Sequence, residues 1–211
     1  VNLTTGDTTG LAVGTYVNGP GIGYGDVVAS IGSTTAFNLS ANRTITAGHE
    51  VIFGGLMFNN GSVFAADPAG LTISQPVIIA NNSTAGFTGL YPITVNANIY
   101  KVEGGNQSTL TNNLQNGSIL TINGDYVSWQ RDGTATTRNL DVRGNGARTD
   151  WNGVIRDGVT GATALSRITI SIPNSSVFRF AGGSANLHSG GVQLYQGDLL
   201  SLIHISEPTR L

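Results

Sequence analysis

Asp150 to Gly197 reads DWNGVIRDGVTGATALSRITISIPNSSVFRFAGGSANLHSGGVQLYQG, and the reading of this stretch decides the fold. Arg167 to Ile172 (RITISI) and Val177 to Phe180 (VFRF) alternate in polarity, as half-buried strands do. Pro173-Asn174-Ser175-Ser176 between them is turn chemistry, with a fixed φ followed by side chains that bond their own backbone. The glycine pairs Gly182-Gly183 and Gly190-Gly191 bracket a third run, Val192 to Tyr195. Short strands joined by sharp corners cannot bury an apolar face alone, so such a unit must stack on a neighbour of the same kind.

Similar spacing extends towards the N-terminus. Candidate strands centre on Thr72, Val77 to Ile79, Thr94, Leu120, Asp141, Thr169 and Gln193. Setting the Val77 to Ile79 run aside, they recur at intervals of about 20 to 30 residues, the length of one coil of a β-solenoid. Asn, Asp or Gly follows each strand, and these residues tolerate the left-handed conformation of a corner. No apolar 3.6-residue pattern persists long enough for a helix. The expected architecture is therefore all-β: a right-handed parallel β-helix preceded by a small all-β module. A β-sandwich is the competitor. It would require hairpins throughout, and Asn123-Gly124-Asp125 is a candidate for one.

The composition fits a solenoid. Of 211 residues, 30 are glycine, 39% are hydrophobic and only 10% are charged, which excludes the charge-rich, apolar-poor profile of a disordered chain. A net charge of −2 gives no electrostatic footprint for nucleic acid or for an anionic membrane surface. No apolar run reaches the roughly 18 residues of a membrane-spanning helix. Without cysteine, disulfide staples and thiolate metal sites are not available.

Residues 1–55 read as a separate module. Leu11 to Val17, Val27 to Ile31, Thr35 to Leu39 and Glu50 to Phe53 are its candidate strands, and Asn18-Gly19-Pro20-Gly21 is a turn. Gly6-Asp7-Thr8-Thr9-Gly10 and Gly19-Pro20-Gly21-Ile22 resemble a small all-β module repeated in large bacterial surface proteins. No GK[ST] follows these glycines and no helix opens after them, so they read as turns rather than as a phosphate loop. Residues 56–199 form the β-helical region.

Within that region Trp151-Asn152-Gly153-Val154-Ile155-Arg156-Asp157-Gly158, followed by Ala162 to Arg167 and then Phe178 to Val192, resembles an autotransporter-associated β-strand repeat. Ile168 to Ser171 departs from it by replacing a glycine-containing segment, and Leu187-His188 stands where an Asn-x-Tyr pattern would lead. The resemblance implies one coil of an exported β-helical stalk, secreted or held on a bacterial outer surface. It brings no catalytic residues with it. The start at Val1 reads as a point inside a longer chain. Leu200 to Arg210 (LSLIHISEPTR) resembles the translation of a transposase-type sequencing adapter, so residues 200–211 are expected to be foreign to the fold.

Five mid-chain carboxylates are the candidates for chemistry: Asp125, Asp132, Asp141, Asp150 and Asp157. Glycosidases act with paired acids about 5 to 9.5 Å apart, and a carbohydrate-active β-helix is the alternative function. Asp132 and Asp157 sit in Arg-Asp-Gly, and Asp125 follows Asn123-Gly124, so three of the five read as turn formers. Interleaved Arg131, Arg138, Arg143, Arg148 and Arg156 point to surface ion pairs. Trp129 and Trp151 would stack on a sugar or fill the core. His49 and His188 have no second ligand at metal spacing, and Gly144-Asn145-Gly146 with Asp150 falls short of a calcium repeat. The sequence thus assigns no catalytic, cofactor-binding or metal-binding residue. It leads to a structural or adhesive segment whose partners would be glycans or neighbouring repeats of the same chain.

Overall fold

The computed structural model describes residues 1–3, 8–23, 25–102, 107–129, 137–158, 165–182 and 190–201, with the backbone alone at 102, 129, 137, 138 and 201. Among them every regular element is a strand.

Four strands build the N-terminal module: β1 (Val17–Asn18), β2 (Val28–Ser33), β3 (Ala36–Leu39) and β4 (Ile52–Phe53). They pair antiparallel, β1 with β4 and β2 with β3, around Val17, Ile22, Val28 and Phe37. The expected strand at Leu11 to Val17 shrinks to its last residue. Gly14 has φ +88°, and Thr15 N–H bonds the Ala12 carbonyl, so the chain turns before it pairs. Gly21 (φ +80°) lies so near the Thr44 carbonyl that a Cβ would sit 2.5 Å from it, which accounts for glycine in this turn.

The solenoid follows in coils of three strands. The first holds β5 (Leu56–Phe58), β6 (Gly61–Ala65) and β7 (Leu71–Ile73); the second β8 (Val77–Ile79), β9 (Thr84–Gly89) and β10 (Ile93–Val95). Next come β11 (Ile99–Val102), β12 (Gln107–Leu114) and β13 (Ile119–Ile122), then β14 (Tyr126–Trp129), β15 (Thr137–Arg143) and β16 (Arg148–Trp151). A fifth coil has β17 (Ile155–Asp157), β18 (Leu165–Ser171) and β19 (Val177–Phe180), and β20 (Val192–Gln196) and β21 (Asp198–Ser201) lie beyond it. Each strand pairs in parallel with its equivalents in the adjacent coils, giving three sheets. Sheet I is β5-β8-β11-β14-β17, sheet II is β6-β9-β12-β15-β18-β20 and sheet III is β7-β10-β13-β16-β19-β21. The register Leu56–Val77–Ile99–Tyr126–Ile155 sets coil lengths of 21, 22, 27 and 29 residues.

Period-two alternation in register turns inward residues into columns. On sheet III, Ile93, Leu120, Thr149 and Phe178 stack in one column, and Ile73, Val95, Ile122, Trp151 and Phe180 in the next. All are buried, as are Val77, Ile99, Tyr126 and Ile155 on sheet I and Ala85, Leu110, Val142 and Ile170 on sheet II. At about 1.5–3 kcal/mol for each large apolar side chain removed from water, these columns supply the dominant favourable term. The N-terminal module leans on the outside of sheet I, where Ile52 packs with Ile78, Tyr100 and Val127, and the Tyr100 hydroxyl donates to Glu50 Oε1 at 3.4 Å.

The corner from sheet III to sheet I shows why Asn and Gly recur. Asn123 Nδ2 donates to Asn96 Oδ1 (2.7 Å), and Asn152 Nδ2 to Asn123 Oδ1 (2.6 Å), so the amides form a ladder up the corner. At the other corners the expected left-handed region is occupied by Gly144 (φ +112°) and Gly197 (φ +97°), each following its strand, and by Asn60, Asn82 and Asn116 (φ +59°, +52° and +55°). Asn123-Gly124-Asp125 is one step of this ladder between two parallel strands and makes no hairpin, which removes the sandwich alternative. β21 continues sheet III past the expected native boundary, pairing Leu199, Leu200 and Ser201 with β19, and Leu200 is 51% exposed.

Candidate functional site

The aspartates fall on different parts of the solenoid because parity and corners separate them. Asp141 lies on β15 in register with Thr109 and Thr169, on the outer face of sheet II. Asp150 lies on β16 between Thr121 and Arg179, on the outer face of sheet III. Asp125 occupies the III-to-I corner, where Oδ1 accepts the Val154 N–H (2.9 Å) and Arg156 Nε stands 3.3 Å from Oδ2. Asp157 ends β17, and its Oδ1 accepts the Ser166 N–H at 2.6 Å. Asp132 lies outside the described residues. The described four thus do not share one face, as the carbohydrate-active alternative would require of its acids.

Both outward carboxylates are buried by their partners. Asp150 is 5% exposed; it accepts Arg148 Nη2 at 2.8 Å, and Arg179 through Nε (3.0 Å) and Nη2 (2.6 Å). Asp141 is 1% exposed and accepts Asn139 Nδ2 at 2.5 Å, Arg143 Nη2 at 2.8 Å and Gln107 Nε2. Carboxylates so engaged have their lone pairs committed and hold other groups in position.

Trp151 faces inward, fully buried, with its ring 6.2 Å from those of Tyr126 and Phe178, so it is core and offers no sugar platform. The Trp129 side chain and His188 lie outside the described residues. His49 is half-buried in the N-terminal module, where its backbone N–H bonds the Thr46 carbonyl. No group of three or more His, Cys, Asp or Glu among the described residues is placed to hold a metal ion.

Among the described residues, grooves lie on the outer surface at two places of interest. One, of about 480 Å³, follows the corner from sheet II to sheet III and is lined by amides and hydroxyls, including Asn113, Gln115, Asn116, Asn145 and Ser175. The other, of about 350 Å³, lies on sheet II around Asp141. Its floor climbs from Gln107 through Asn139 and Asp141 to Arg167 and Thr169, and Gln193 and Tyr195 rise beyond. Thr169 Oγ1 donates to Asn139 Oδ1 at 2.7 Å, linking the coils. Sequence reading singled out Asp141 and Arg143 but missed Gln107, Asn139 and Tyr195. Their common signal is an outward position in register, visible only once the coil lengths of this sheet are known.

No protein-family model, curated protein or solved structure matches the chain.

Proposed function

We propose that this chain is a stiff, non-catalytic segment of an exported bacterial surface protein, a stalk that spaces or presents what it carries. One observation carries the reading: one inward apolar column in each of sheets I and III, Leu56–Val77–Ile99–Tyr126–Ile155 and Ile73–Val95–Ile122–Trp151–Phe180, runs through all five coils while the outward partners vary from coil to coil. Backbone ladders and the core hold such a stack, and the outer face is free to change without loss of the fold. At about 4.8 Å per coil the six rungs of sheet III rise roughly 24 Å, so length scales with the number of coils. The autotransporter-type pattern around Trp151 to Gly158 supports export, and the commitment of Asp141 and Asp150 to arginines supports a structural use of the acids.

Two measurements test this. Protease shaving of intact source cells should release peptides from this chain; recovery only after lysis overturns the surface assignment. Incubation of the purified chain with a panel of polysaccharides should release no new reducing ends or unsaturated uronates. Turnover that is abolished in Asp141→Asn would establish the carbohydrate-active alternative in its place.

A further inference from the structure

We infer that the groove on sheet II is a binding site for a short acidic oligosaccharide, one whose sugars bear carboxylate or sulfate. This goes beyond the stalk reading and does not rest on it, because a groove on the outer face needs only the register of β12, β15, β18 and β20.

The argument begins with preorganisation. Sugar hydroxyls are recognised by planar polar side chains held in fixed orientations, since each freely rotating amide must otherwise be ordered on binding. Asp141 supplies that order: its carboxylate fixes the amides of Gln107 and Asn139 and the guanidinium of Arg143. The Asn139 amide is held from its other side by the Thr169 hydroxyl, so donors and acceptors from three successive coils are tied into one network. Parallel strands about 4.8 Å apart present these groups at a spacing close to that of hydroxyls along a sugar chain.

Charge selects the acidic class. The groove is lined by two guanidiniums, Arg143 and Arg167, against the single carboxylate of Asp141. The Arg143 side chain is 54% exposed and spends one terminal nitrogen, Nη2, on Asp141, while Arg167 uses Nε on the Gly190 carbonyl at 3.2 Å and keeps both terminal nitrogens; both side chains line the groove. Guanidinium forks match carboxylate and sulfate oxygens. At the upper end Tyr195 is 72% exposed, a large ring with no place in the core. An aromatic face beside polar groups is the usual platform for the apolar side of a pyranose. The amide-lined groove at the II-to-III corner has neither charge nor aromatic ring among its lining residues, which makes it the internal control.

The test is titration calorimetry of the whole chain with tetragalacturonate and with a sulfated tetrasaccharide, and with cellotetraose as the neutral comparator. Saturable binding of an acidic probe is expected, weakened about tenfold in Arg167→Gln and in Tyr195→Ser, unchanged in Gln115→Ala, and weakened again at roughly 0.15 M salt. The two acidic probes distinguish carboxylate from sulfate recognition. Tyr195→Ser removes only an exposed ring, so it tests the groove even where Arg167→Gln lowers stability. Cellotetraose bound as tightly as the acidic probes overturns the charge assignment. Absence of saturable binding, or binding lost in Gln115→Ala and kept in Arg167→Gln, overturns the site. None of these results alters the protease-shaving outcome, so the groove and the stalk fail separately.

Discussion

Arg179 reaches down one rung of sheet III to hold Asp150 with two bonds, Nε to Oδ1 at 3.0 Å and Nη2 to Oδ2 at 2.6 Å. In coils one to three the same outward column carries Thr94 above Thr72 and Thr121 above Thr94, so a neutral ladder becomes an ionic one as it climbs. Asp150→Ala leaves Arg148 and Arg179 without their carboxylate and should cost about 1–3 kcal/mol. Arg179→Gln should cost about 1 kcal/mol, because Arg148 still neutralises Oδ2 and the Arg179 position is partly solvated. Urea midpoints of the two variants and the double variant check this. Strict additivity would show that the two residues do not act as a pair.

Backbone proximity at the corner predicts a steeper penalty. A Cβ on Gly153 would meet the Gly124 carbonyl oxygen at 1.9 Å, so Gly153→Ala must push two coils apart. Overpacking of this kind costs about 1–3 kcal/mol or more. Gly117 has φ +73° but nothing within 4 Å of an added Cβ, so Gly117→Ala bears only the conformational penalty of about 1 kcal/mol. Thermal melts of the two variants separate lack of space from strain, and the reverse order would refute the stacked-corner geometry.

The spacing and the turns were legible in the sequence, while the assignment of strands to faces was not. RITISI, the Pro173 turn and VFRF fall on β18, a bend closed by the Ser176 N–H to the Pro173 carbonyl (2.9 Å), and β19. Yet Thr72, Thr94 and Leu120 belong to sheet III, whereas Asp141, Thr169 and Gln193 belong to sheet II, so one apparent repeat joined two faces. Three-residue strands such as Ile93–Val95 carry too few positions to reveal which neighbour they pair with. Coils that lengthen from 21 to 29 residues blur the period further. Thr84–Gly89 gave no strand signal because Gly86 and Gly89 interrupt its pattern, and both glycines are required by contact with the coil below. The groove around Asp141 was hidden for the same reason, since Gln107, Asn139 and Asp141 meet only through register.

Alkaline pH should loosen the N-terminal module from the solenoid. Burial raises the Tyr100 pKa above its ordinary value of 10.0, opposed in part by the Asn98 hydrogen bond and reinforced by the nearby Glu50 charge. In the unfolded chain the phenol ionises at its ordinary value, so between that value and the raised one the unfolded state alone gains the negative charge. Stability is therefore fully present below about pH 10 and falls as pH rises through the folded-state value. In Tyr100→Phe the alkaline fall in urea midpoint should be smaller, and an unchanged fall would place its origin in another group.

The core predicts a contrast at one position. Trp151 is fully buried between Tyr126 and Phe178, and its indole Nε1 has no hydrogen-bond partner among the described residues. Trp151→Ala opens a cavity spanning two coils and should cost about 3–5 kcal/mol. Trp151→Phe keeps most of the ring volume and discards an N–H that was buried without compensation, so the desolvation it relieves offsets part of the lost packing. Its cost should be about 1 kcal/mol, measured from denaturant midpoints with the m-value unchanged. A Phe variant as unstable as the Ala variant would mean that the indole N–H is bonded in solution, and that Trp151 is held by that bond as well as by its area.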